Sequence, residues 1–440
     1  MDTRKTRSLH EDHTLNPIQQ RLRDDIRVAE AKIAKRLRRF PFYATVESAS
    51  HTTVLVDGHP LINLGSNNYL GLSTDPRVIE AATEATRFWG TGVTGSRLLN
   101  GTLRLHESLE ATLCGFYGKE AALVFPTGYT ANLGLISGAL QPGDIIAVDR
   151  EIHASLLDAL MLSRAPFRRF EHNSVDGARS ILERGNSARA RALVLEGVYS
   201  MQGDVPPLAQ FATLADEANA FLIVDEAHGM GVVGPRGRGG AELAGVLDRV
   251  DALTVTFSKS LASCGGAIVG SRDMIDALRL KCRPFMFTAS NTPGSIAAAE
   301  CALRILIDEP QMLSELQGRT EFLRAALMAQ GISVPPSRGA ILTVRVGSDF
   351  QTLQAWRMLR NRGVFCNPVL TPAVPQGKGL LRLSIMRTHT EANLEQAAAA
   401  FGHIGRWIEQ SGDQDVCTRG DAVTLPASDS AGTCYAMEAS

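Results

Sequence analysis

The sequence predicts an α/β fold built on a mainly parallel β-sheet. From about residue 75 to 290, helical patterns alternate with short runs of apolar residues. These runs are nearly continuous in hydrophobicity, which is typical of parallel strands covered by helices on both faces. The runs that predict the strands are 121–125, 144–148, 192–195, 221–224 and 252–256.

The first forty residues have a basic, helical pattern. Their apolar positions recur at spacings of three, four and seven and form one stripe among arginines and lysines, namely Ile18, Leu22, Ile26, Ile33, Leu37 and Phe40. Two interpretations follow. The helix docks on a membrane surface or a carrier protein, or it is an arm that packs on the body of the protein or on a partner subunit. The second interpretation is favoured.

The next element is a β-hairpin. Two apolar runs, 52–56 and 60–64, flank Asp57-Gly58, a pair typical of a type I′ turn. Beyond the sheet, a helical stretch from Pro293 to about residue 330 leads to a smaller α+β lobe with strands near 340–346 and 380–385. The predicted divisions are an N-terminal arm and hairpin (1–64), a large α/β domain (65–300), a small C-terminal α+β domain (301–410) and a disordered tail (411–440).

Composition excludes several classes of protein. The 440 residues are 44% hydrophobic and 21% charged with a net charge of −1, so no electrostatic feature predicts nucleic-acid binding. No apolar run predicts a transmembrane segment, and no signal peptide is evident. The seven cysteines are scattered without a C-x-x-C pair, which predicts neither a disulfide framework nor a metal site. We therefore expect a cytoplasmic protein.

Two short motifs suggest nucleotide chemistry that their context does not support. Gly90-Thr-Gly-Val-Thr-Gly95 matches a dinucleotide fingerprint, but a helical pattern precedes it where a strand is required. Asp225-Glu-Ala-His228 spells a helicase-like acidic box, but no glycine-rich loop ending in Gly-Lys-Ser/Thr accompanies it.

Polar residues follow the predicted strands where a ligand of a parallel sheet would bind. Asp225 ends an apolar strand, His228 lies three positions later, and Lys259 follows the next strand among small hydroxyl residues. A lysine can hold pyridoxal phosphate as a Schiff base, and a buried carboxylate can keep its pyridine nitrogen protonated. Further candidates are a glycine at a helix start, an imidazole to stack on the ring and hydroxyls for the phosphate, namely Gly128, His153, Thr256 and Ser258.

These motifs resemble those of the α-oxoamine synthases, which are pyridoxal phosphate enzymes of fold type I. The likeness covers roughly residues 40 to 408 and is carried by 66–72, 90–97, 128–132, 153–155, 196–204, 225–228, 256–259 and 381–384. The resemblance implies Lys259 as the Schiff-base lysine, Asp225 on the ring nitrogen, His228 on the phenolic oxygen and His153 stacked on the ring. It also implies further cofactor contacts from Tyr129, Ser200 and Thr288, and substrate contacts from Asn67, Arg97 and Arg382.

The resemblance also implies a reaction and an assembly. A small amino acid (serine, alanine or glycine) would condense with an acyl-CoA or acyl-carrier-protein thioester, lose CO2 and give an α-amino ketone. Thr288 would reach the phosphate of the other subunit in a homodimer. Leu370 stands where an arginine is expected in the branch of the family that this chain most resembles. The alternatives are an aminotransferase of the same fold and an inactive partner subunit.

Overall fold

The computed structural model describes residues 16–25, 28, 31–32, 35, 40–184 and 188–411. The predicted tail (411–440) lies almost entirely outside the described residues, as does part of the N-terminal stripe. Of that stripe, Ile18 and Leu22 lie in helix α1 (Pro17–Arg23), which buries none of its residues in a single chain. The interpretation as an arm on the protein's own body is therefore not supported by α1.

A seven-stranded sheet forms the centre of the molecule, in the order β3-β9-β8-β7-β6-β4-β5. All strands are parallel except β9, which runs antiparallel to β3 and β8. The strands are β3 (Ala121–Phe125), β4 (Ile145–Asp149), β5 (Phe167–Phe170), β6 (Arg191–Glu196), β7 (Ala220–Asp225), β8 (Ala252–Thr256) and β9 (Gly266–Gly270). The fold prediction is thus confirmed.

Helices cover both faces of this sheet, and their first turns are fixed by local capping. Asp75 accepts the amide of Arg77 ahead of α2, and Thr127 and Thr130 form a capping box ahead of α4. The helices of this region are α2 (Pro76–Trp89), α3 (Arg104–Tyr117), α4 (Gly128–Ala139), α5 (Ala154–Ser163), α6 (Val175–Arg184), α7 (Leu208–Glu217), α8 (Gly240–Leu243), α9 (Arg272–Lys281) and α10 (Arg283–Met286).

The C-terminal part has its own three-stranded antiparallel sheet, in the order β10-β13-β12. It comprises β10 (Ile341–Gly347), β12 (Asn367–Val369) and β13 (Gly379–Ser384). The predicted helical stretch is two helices, because the chain breaks at Pro310. The helices are α11 (Pro293–Asp308), α12 (Gln311–Ala329), α13 (Asp349–Arg360) and α14 (Glu391–Ser411).

The predicted hairpin is confirmed. Strands β1 (Thr53–Val56) and β2 (His59–Asn63) pair antiparallel, and Asp57 and Gly58 have φ angles of 51° and 72°, as a type I′ turn requires. A short strand β11 (Val364–Phe365) pairs parallel to β2, so the N-terminal hairpin is tied to the C-terminal part of the chain.

No helix within the described ranges is long and apolar enough to cross a membrane. The five cysteines that fall in the described part of the chain are all free.

The buried strands should dominate stability. Leu193, in the middle of β6, is fully buried, so Leu193→Ala should lower the free energy of unfolding by about 2–5 kcal/mol through lost burial and a residual cavity. Leu280, which is 73% exposed in α9, is the control, and Leu280→Ala should change the free energy of unfolding by less than about 0.5 kcal/mol. Urea unfolding of the two variants measures the difference, and equal losses would contradict this description of the core.

Candidate active site

The carboxyl ends of the parallel strands surround a cavity of about 250 Å³. Such an edge gathers residues from several strands, because parallel strands all end on the same side. Eight of the predicted site residues line the cavity: Gly128, Tyr129, His153, Asp225, His228, Thr256, Ser258 and Lys259. Six other residues complete the lining, namely Thr127, Asn132, Ser155, Glu196, Ala227 and Val255.

Asp225 is the last residue of β7 and is almost completely buried. Its Oδ2 accepts a hydrogen bond from Nδ2 of Asn132 at 2.7 Å, and its Oδ1 accepts from the amide of Ala227 at 2.9 Å. The Asn132 amide also donates to Oγ of Ser155 at 2.9 Å, which fixes it against α5. Asn132 was not among the predicted site residues, although it lies in the motif that begins at Gly128.

His228 faces the cavity from the turn after β7. Its Nδ1 lies 2.8 Å from the hydroxyl of Tyr69, and the two rings meet edge to face. Burial, together with the nearby positive charges of Lys259 and Arg382, holds the pKa of His228 well below its usual value, so the imidazole is neutral. Tyr69 is fully buried and was also missed, since its role depends on a residue 159 positions away.

Lys259 lies in the turn that follows β8. Burial lowers the pKa of its amine to about 8, and the positive charge of Arg382 acts in the same direction against the attraction of Asp225 and Glu196. A substantial fraction of the amine is therefore neutral near physiological pH, which a nucleophile or general base requires.

His153 and Glu196 connect α5 to the strand edge. His153 is the N-cap of α5, and its Nδ1 lies 2.7 Å from Oγ of Ser155. The backbone amide of His153 donates to Oε1 of Glu196 at 2.5 Å. Burial, reinforced by the charge of Asp225, raises the pKa of Glu196 well above its usual range. Glu196 is a further cavity residue that the sequence did not single out.

The first turn of α4 comes unusually close to the end of β8. A Cβ atom on Gly128 would lie 2.8 Å from Cβ of Thr256, so only glycine fits at this position without displacing β8. The hydroxyls of Thr256 and Ser258 lie 2.9 Å apart beside this helix start. Amides at a helix N-terminus together with two hydroxyls form a suitable site for a phosphate group.

Arg382, in β13, is a buried cation adjoining the Tyr69–His228 pair. Its Nε donates to the carbonyl of Ser200 at 2.6 Å. Its terminal nitrogens donate to Oδ1 of Asn67 at 3.2 Å and to Oγ of Ser384 at 3.0 Å. Every one of these acceptors is neutral, and no carboxylate of the described chain forms an ion pair with Arg382.

Three residues predicted for cofactor or substrate contacts, Ser200, Arg97 and Thr288, do not line the cavity of a single chain. The backbone carbonyl of Ser200 accepts a hydrogen bond from Nε of Arg382. Arg97 is not available to a substrate in a single chain, because its buried guanidinium donates to Glu110 at 3.0 Å and packs over the ring of Phe285. Thr288 also lies outside the cavity of one chain.

Comparison with known proteins places this arrangement in a family. The family model for class I and II aminotransferases matches residues 59–401. A serine palmitoyltransferase from Sphingobacterium spiritivorum is 40% identical over 84% of this chain and 93% of its own length. An 8-amino-7-oxononanoate synthase from Geobacter metallireducens is 40% identical over 82% of this chain and 93% of its own.

The chain belongs to the α-oxoamine synthase family. A solved structure of SPT (serine palmitoyltransferase) with PLP superimposes with a TM-score of 0.85 at 36% identity, covering 90% of this chain and 100% of that one. Serine palmitoyltransferase from Sphingomonas wittichii gives a TM-score of 0.86 at 36% identity, with 90% and 100% coverage. The predicted likeness to bacterial serine palmitoyltransferase within the family is confirmed. This α-oxoamine synthase is a pyridoxal phosphate-dependent acyltransferase that performs a decarboxylative condensation, and the aminotransferase alternative is not supported.

The residues of the cavity fit pyridoxal phosphate. The cofactor carries an aldehyde, a pyridine nitrogen, a phenolic oxygen and a phosphate. The cavity offers a partly neutral amine at Lys259, a buried carboxylate at Asp225, a neutral imidazole at His228 and a helix start at Gly128 with room for close approach. The buried Oδ1 of Asn132 has no hydrogen-bond partner among the residues that the structure describes, which leaves a polar acceptor for a bound group in the cavity.

The lowered pKa of Lys259 predicts how cofactor uptake depends on pH. Only the neutral amine reacts with an aldehyde, and a pKa of about 8 leaves about a tenth of it neutral at pH 7 and about half at pH 8. The rate of covalent incorporation of pyridoxal phosphate into the apoenzyme should rise about fivefold from pH 7 to 8 and level off above about pH 9. Stopped-flow absorbance measures this rate, and a continued tenfold rise per pH unit up to pH 10 would contradict the lowered pKa.

Proposed function

We propose that the enzyme condenses serine, alanine or glycine with a long-chain acyl thioester and releases an α-amino ketone with CO2. The observation that carries this proposal is the buried guanidinium of Arg382, whose hydrogen bonds all go to neutral oxygens. A buried charge without a counter-ion is costly, and an incoming amino-acid carboxylate would supply that counter-ion through a directional, charge-assisted contact. The name of the relative serine palmitoyltransferase supports serine and a palmitoyl group as substrates. We propose acyl-CoA or an acyl-carrier protein as the acyl donor.

The proposed cofactor roles follow the geometry of the cavity. Asp225 keeps a proton on the ring nitrogen, His228 hydrogen-bonds to the phenolic oxygen, and His153 stacks on the ring. Lys259 is the residue of covalent attachment. The phosphate is bound at the start of α4 by Gly128, Tyr129, Thr256 and Ser258. When bound, pyridoxal phosphate supplies an electron sink for the bonds to the amino-acid Cα atom.

The proposed catalytic steps belong to three side chains. Arg382, with Asn67 beside it, would hold the substrate carboxylate and so fix the orientation of the bonds at the Cα atom. The Lys259 amine would take the Cα proton as general base, for which a pKa of about 8 is well matched to neutral pH. His153 donates a hydrogen bond to the thioester oxygen, which stabilises the negative charge that develops there.

The test is a direct assay of the products. The purified enzyme with each amino acid and palmitoyl-CoA should release CO2 and free thiol in equal amounts, and Lys259→Ala should release neither. Transfer of the amino group to a 2-oxo acid without CO2 release would refute the proposal. Activity with acyl-carrier protein but not with acyl-CoA would identify the donor without changing the reaction.

We also propose that the enzyme works as a homodimer with active sites at the subunit interface. In a single chain, Leu99 and Phe287 are 81% and 69% exposed, and a bridge between Ser96 and Ala289 brings their segments together. Exposed apolar residues clustered in this way favour an interface. Thr288 lies within this patch, and we propose that it contacts the cofactor phosphate of the other subunit.

Mixing two inactive or weakened chains tests this assembly. Thr288→Ala should weaken cofactor binding, and Lys259→Ala should abolish activity. If Thr288 serves the other subunit, co-expressed chains carrying one change each form mixed dimers that contain one complete site, and cofactor affinity at that site returns to the wild-type value. Recovery would be absent if Thr288 acted on its own chain. Absorbance titration of the co-purified mixed dimer with pyridoxal phosphate measures the affinity.

Asp225→Asn should leave the fold and the site geometry intact but abolish turnover. The amide keeps the shape and the hydrogen bond from Ala227, but without a negative charge it does not hold a proton on the ring nitrogen. We expect kcat to fall by about a thousandfold, because breaking a buried ion pair costs about 3–5 kcal/mol and each tenfold corresponds to about 1.4 kcal/mol. Steady-state kinetics at saturating cofactor measure this effect. Normal turnover would mean that another group protonates the ring.

Leu370 is proposed to influence the choice of amino acid. It follows β12 in a proline-rich loop, and an arginine is expected there in the serine palmitoyltransferase branch. With Arg382 alone to hold the carboxylate and a less polar pocket, glycine or alanine should be tolerated relatively better than serine. Leu370→Arg should raise kcat/KM for serine roughly tenfold relative to glycine. If serine already dominates in the wild type and the arginine changes nothing, Leu370 does not take part in selection.

A further inference from the structure

A charged cluster next to the active site has no role in the proposed reaction. His172 lies between two carboxylates, with Nδ1 at 2.9 Å from Oδ1 of Asp149 and Nε2 at 2.9 Å from Oδ2 of Asp204. An imidazole can donate from both nitrogens only when it is protonated, so this geometry requires a positively charged ring. Burial lowers the pKa of His172, but the hydrogen bonds with Asp149 and Asp204 outweigh it and raise the pKa to about 10.

The cluster joins three consecutive segments of the sheet edge. Asp149 is the last residue of β4, His172 follows β5, and Asp204 lies in the turn after β6. Asn173 strengthens the connection, because its backbone amide donates to Oδ2 of Asp149 at 2.8 Å and its side chain donates to Asp204 at 2.8 Å. Asn173 has a φ angle of 59°, in the left-handed region that asparagine adopts more readily than most other residues with a side chain.

The turn that the cluster holds is the one that contacts Arg382. The amide of Tyr199 donates to the carbonyl of Asp204 at 3.0 Å, and the amide of Gly203 donates to the carbonyl of Tyr199 at 2.9 Å, so residues 199–204 form a compact turn. The ring of Tyr199 also packs edge-on against His172 at 4.5 Å. Within this turn, the carbonyl of Ser200 accepts the Nε hydrogen of Arg382 at 2.6 Å.

We infer that His172 is a positioning residue that orients Arg382 for the carboxylate of the amino acid substrate. The charged ring fixes Asp204, Asp204 fixes the 199–204 turn, and the Ser200 carbonyl of that turn fixes the plane of the guanidinium. This inference rests on the proposed role of Arg382 as the carboxylate receptor. The Ser200 carbonyl holds Nε, and Asn67 and Ser384 accept from the terminal nitrogens. A guanidinium held in this way presents its remaining donors in one fixed plane, as two-point recognition of a carboxylate requires.

The inference predicts a selective loss of affinity. His172→Gln keeps a polar side chain but removes the charge and one of the two hydrogen bonds. The Kd for serine or glycine, measured from the absorbance change of the bound cofactor, should rise about tenfold. The Kd for pyridoxal phosphate and the KM for palmitoyl-CoA should stay within about twofold of the wild type. Asp204→Asn, which keeps both residues in place and weakens one contact, should give a smaller change in the same direction.

A destabilised control separates positioning from stability. Leu182 is buried in α6 and belongs to neither the cluster nor the cavity lining, so Leu182→Ala should lower the melting temperature without changing the Kd for the amino acid. If Leu182→Ala raises that Kd as much as His172→Gln does, the effect of His172 is general destabilisation and the inference is wrong.

A double-mutant cycle with Arg382→Lys tests whether His172 acts through Arg382. Lysine cannot offer the two-point contact, so Arg382→Lys alone should raise the Kd for the amino acid, and adding His172→Gln should raise it no further. An equal effect of His172→Gln in both backgrounds would overturn the inference while leaving the role of Arg382 intact. If Arg382→Lys leaves the Kd unchanged, the proposed carboxylate receptor fails, and the inference fails with it.

Discussion

The pairing of β6 with β7 is the constraint on which the active site depends. The register places Glu196 opposite Asp225, so two carboxyl groups end neighbouring parallel strands side by side and both are buried. Two negative charges side by side in a buried environment repel each other and are poorly solvated, which destabilises the state in which both groups are charged. The two carboxyl groups have different hydrogen-bond partners. Asp225 accepts hydrogen bonds from Asn132 and Ala227, whereas the pKa of Glu196 is raised well above its usual range.

The other charges of the site follow from this division. The negative charge of Asp225 opposes the burial that lowers the pKa of Lys259, and the result of about 8 keeps the amine both reactive and able to carry a proton. His228 stays neutral because burial and the neighbouring cations disfavour a further positive charge. Arg382 is then a buried cation without a carboxylate partner in the described chain, and in the proposed function an amino-acid substrate brings the complementary charge. In the proposed function, substrate binding at Arg382 and proton transfer at Lys259 thus depend on the same set of buried charges.

Glu226 shows how the backbone around the site is held without taking part in it. Its carboxylate accepts the amides of Gly240 and Ala241 at 2.9 and 2.8 Å, and a Cβ on Gly197, Gly229 or Gly239 would lie within 2.0 Å of it. The two hydrogen bonds connect the turn between Asp225 and His228 to the start of α8. Only glycine fits at these three positions, because the carboxylate fills the space that a Cβ atom would need. Of the two adjacent acidic residues, Asp225 therefore lines the cavity, and Glu226 binds the backbone at the start of α8.

The sequence by itself determined the α/β class, the hairpin at Asp57-Gly58 and most of the cavity lining, because apolar runs and the polar residues directly after them are local features. Strand β5 was missed because it lies at the edge of the sheet, where exposed arginines are tolerated and interrupt the apolar pattern. Strand β9 was missed because its apolar run is only three residues long and has a glycine at each end. Only the tertiary structure decided that Tyr69 contacts His228, that Arg97 pairs with Glu110 and that Ser200 contributes its carbonyl to Arg382. Those outcomes depend on which residues meet across 159, 13 and 182 positions of chain, and no local pattern encodes such distances.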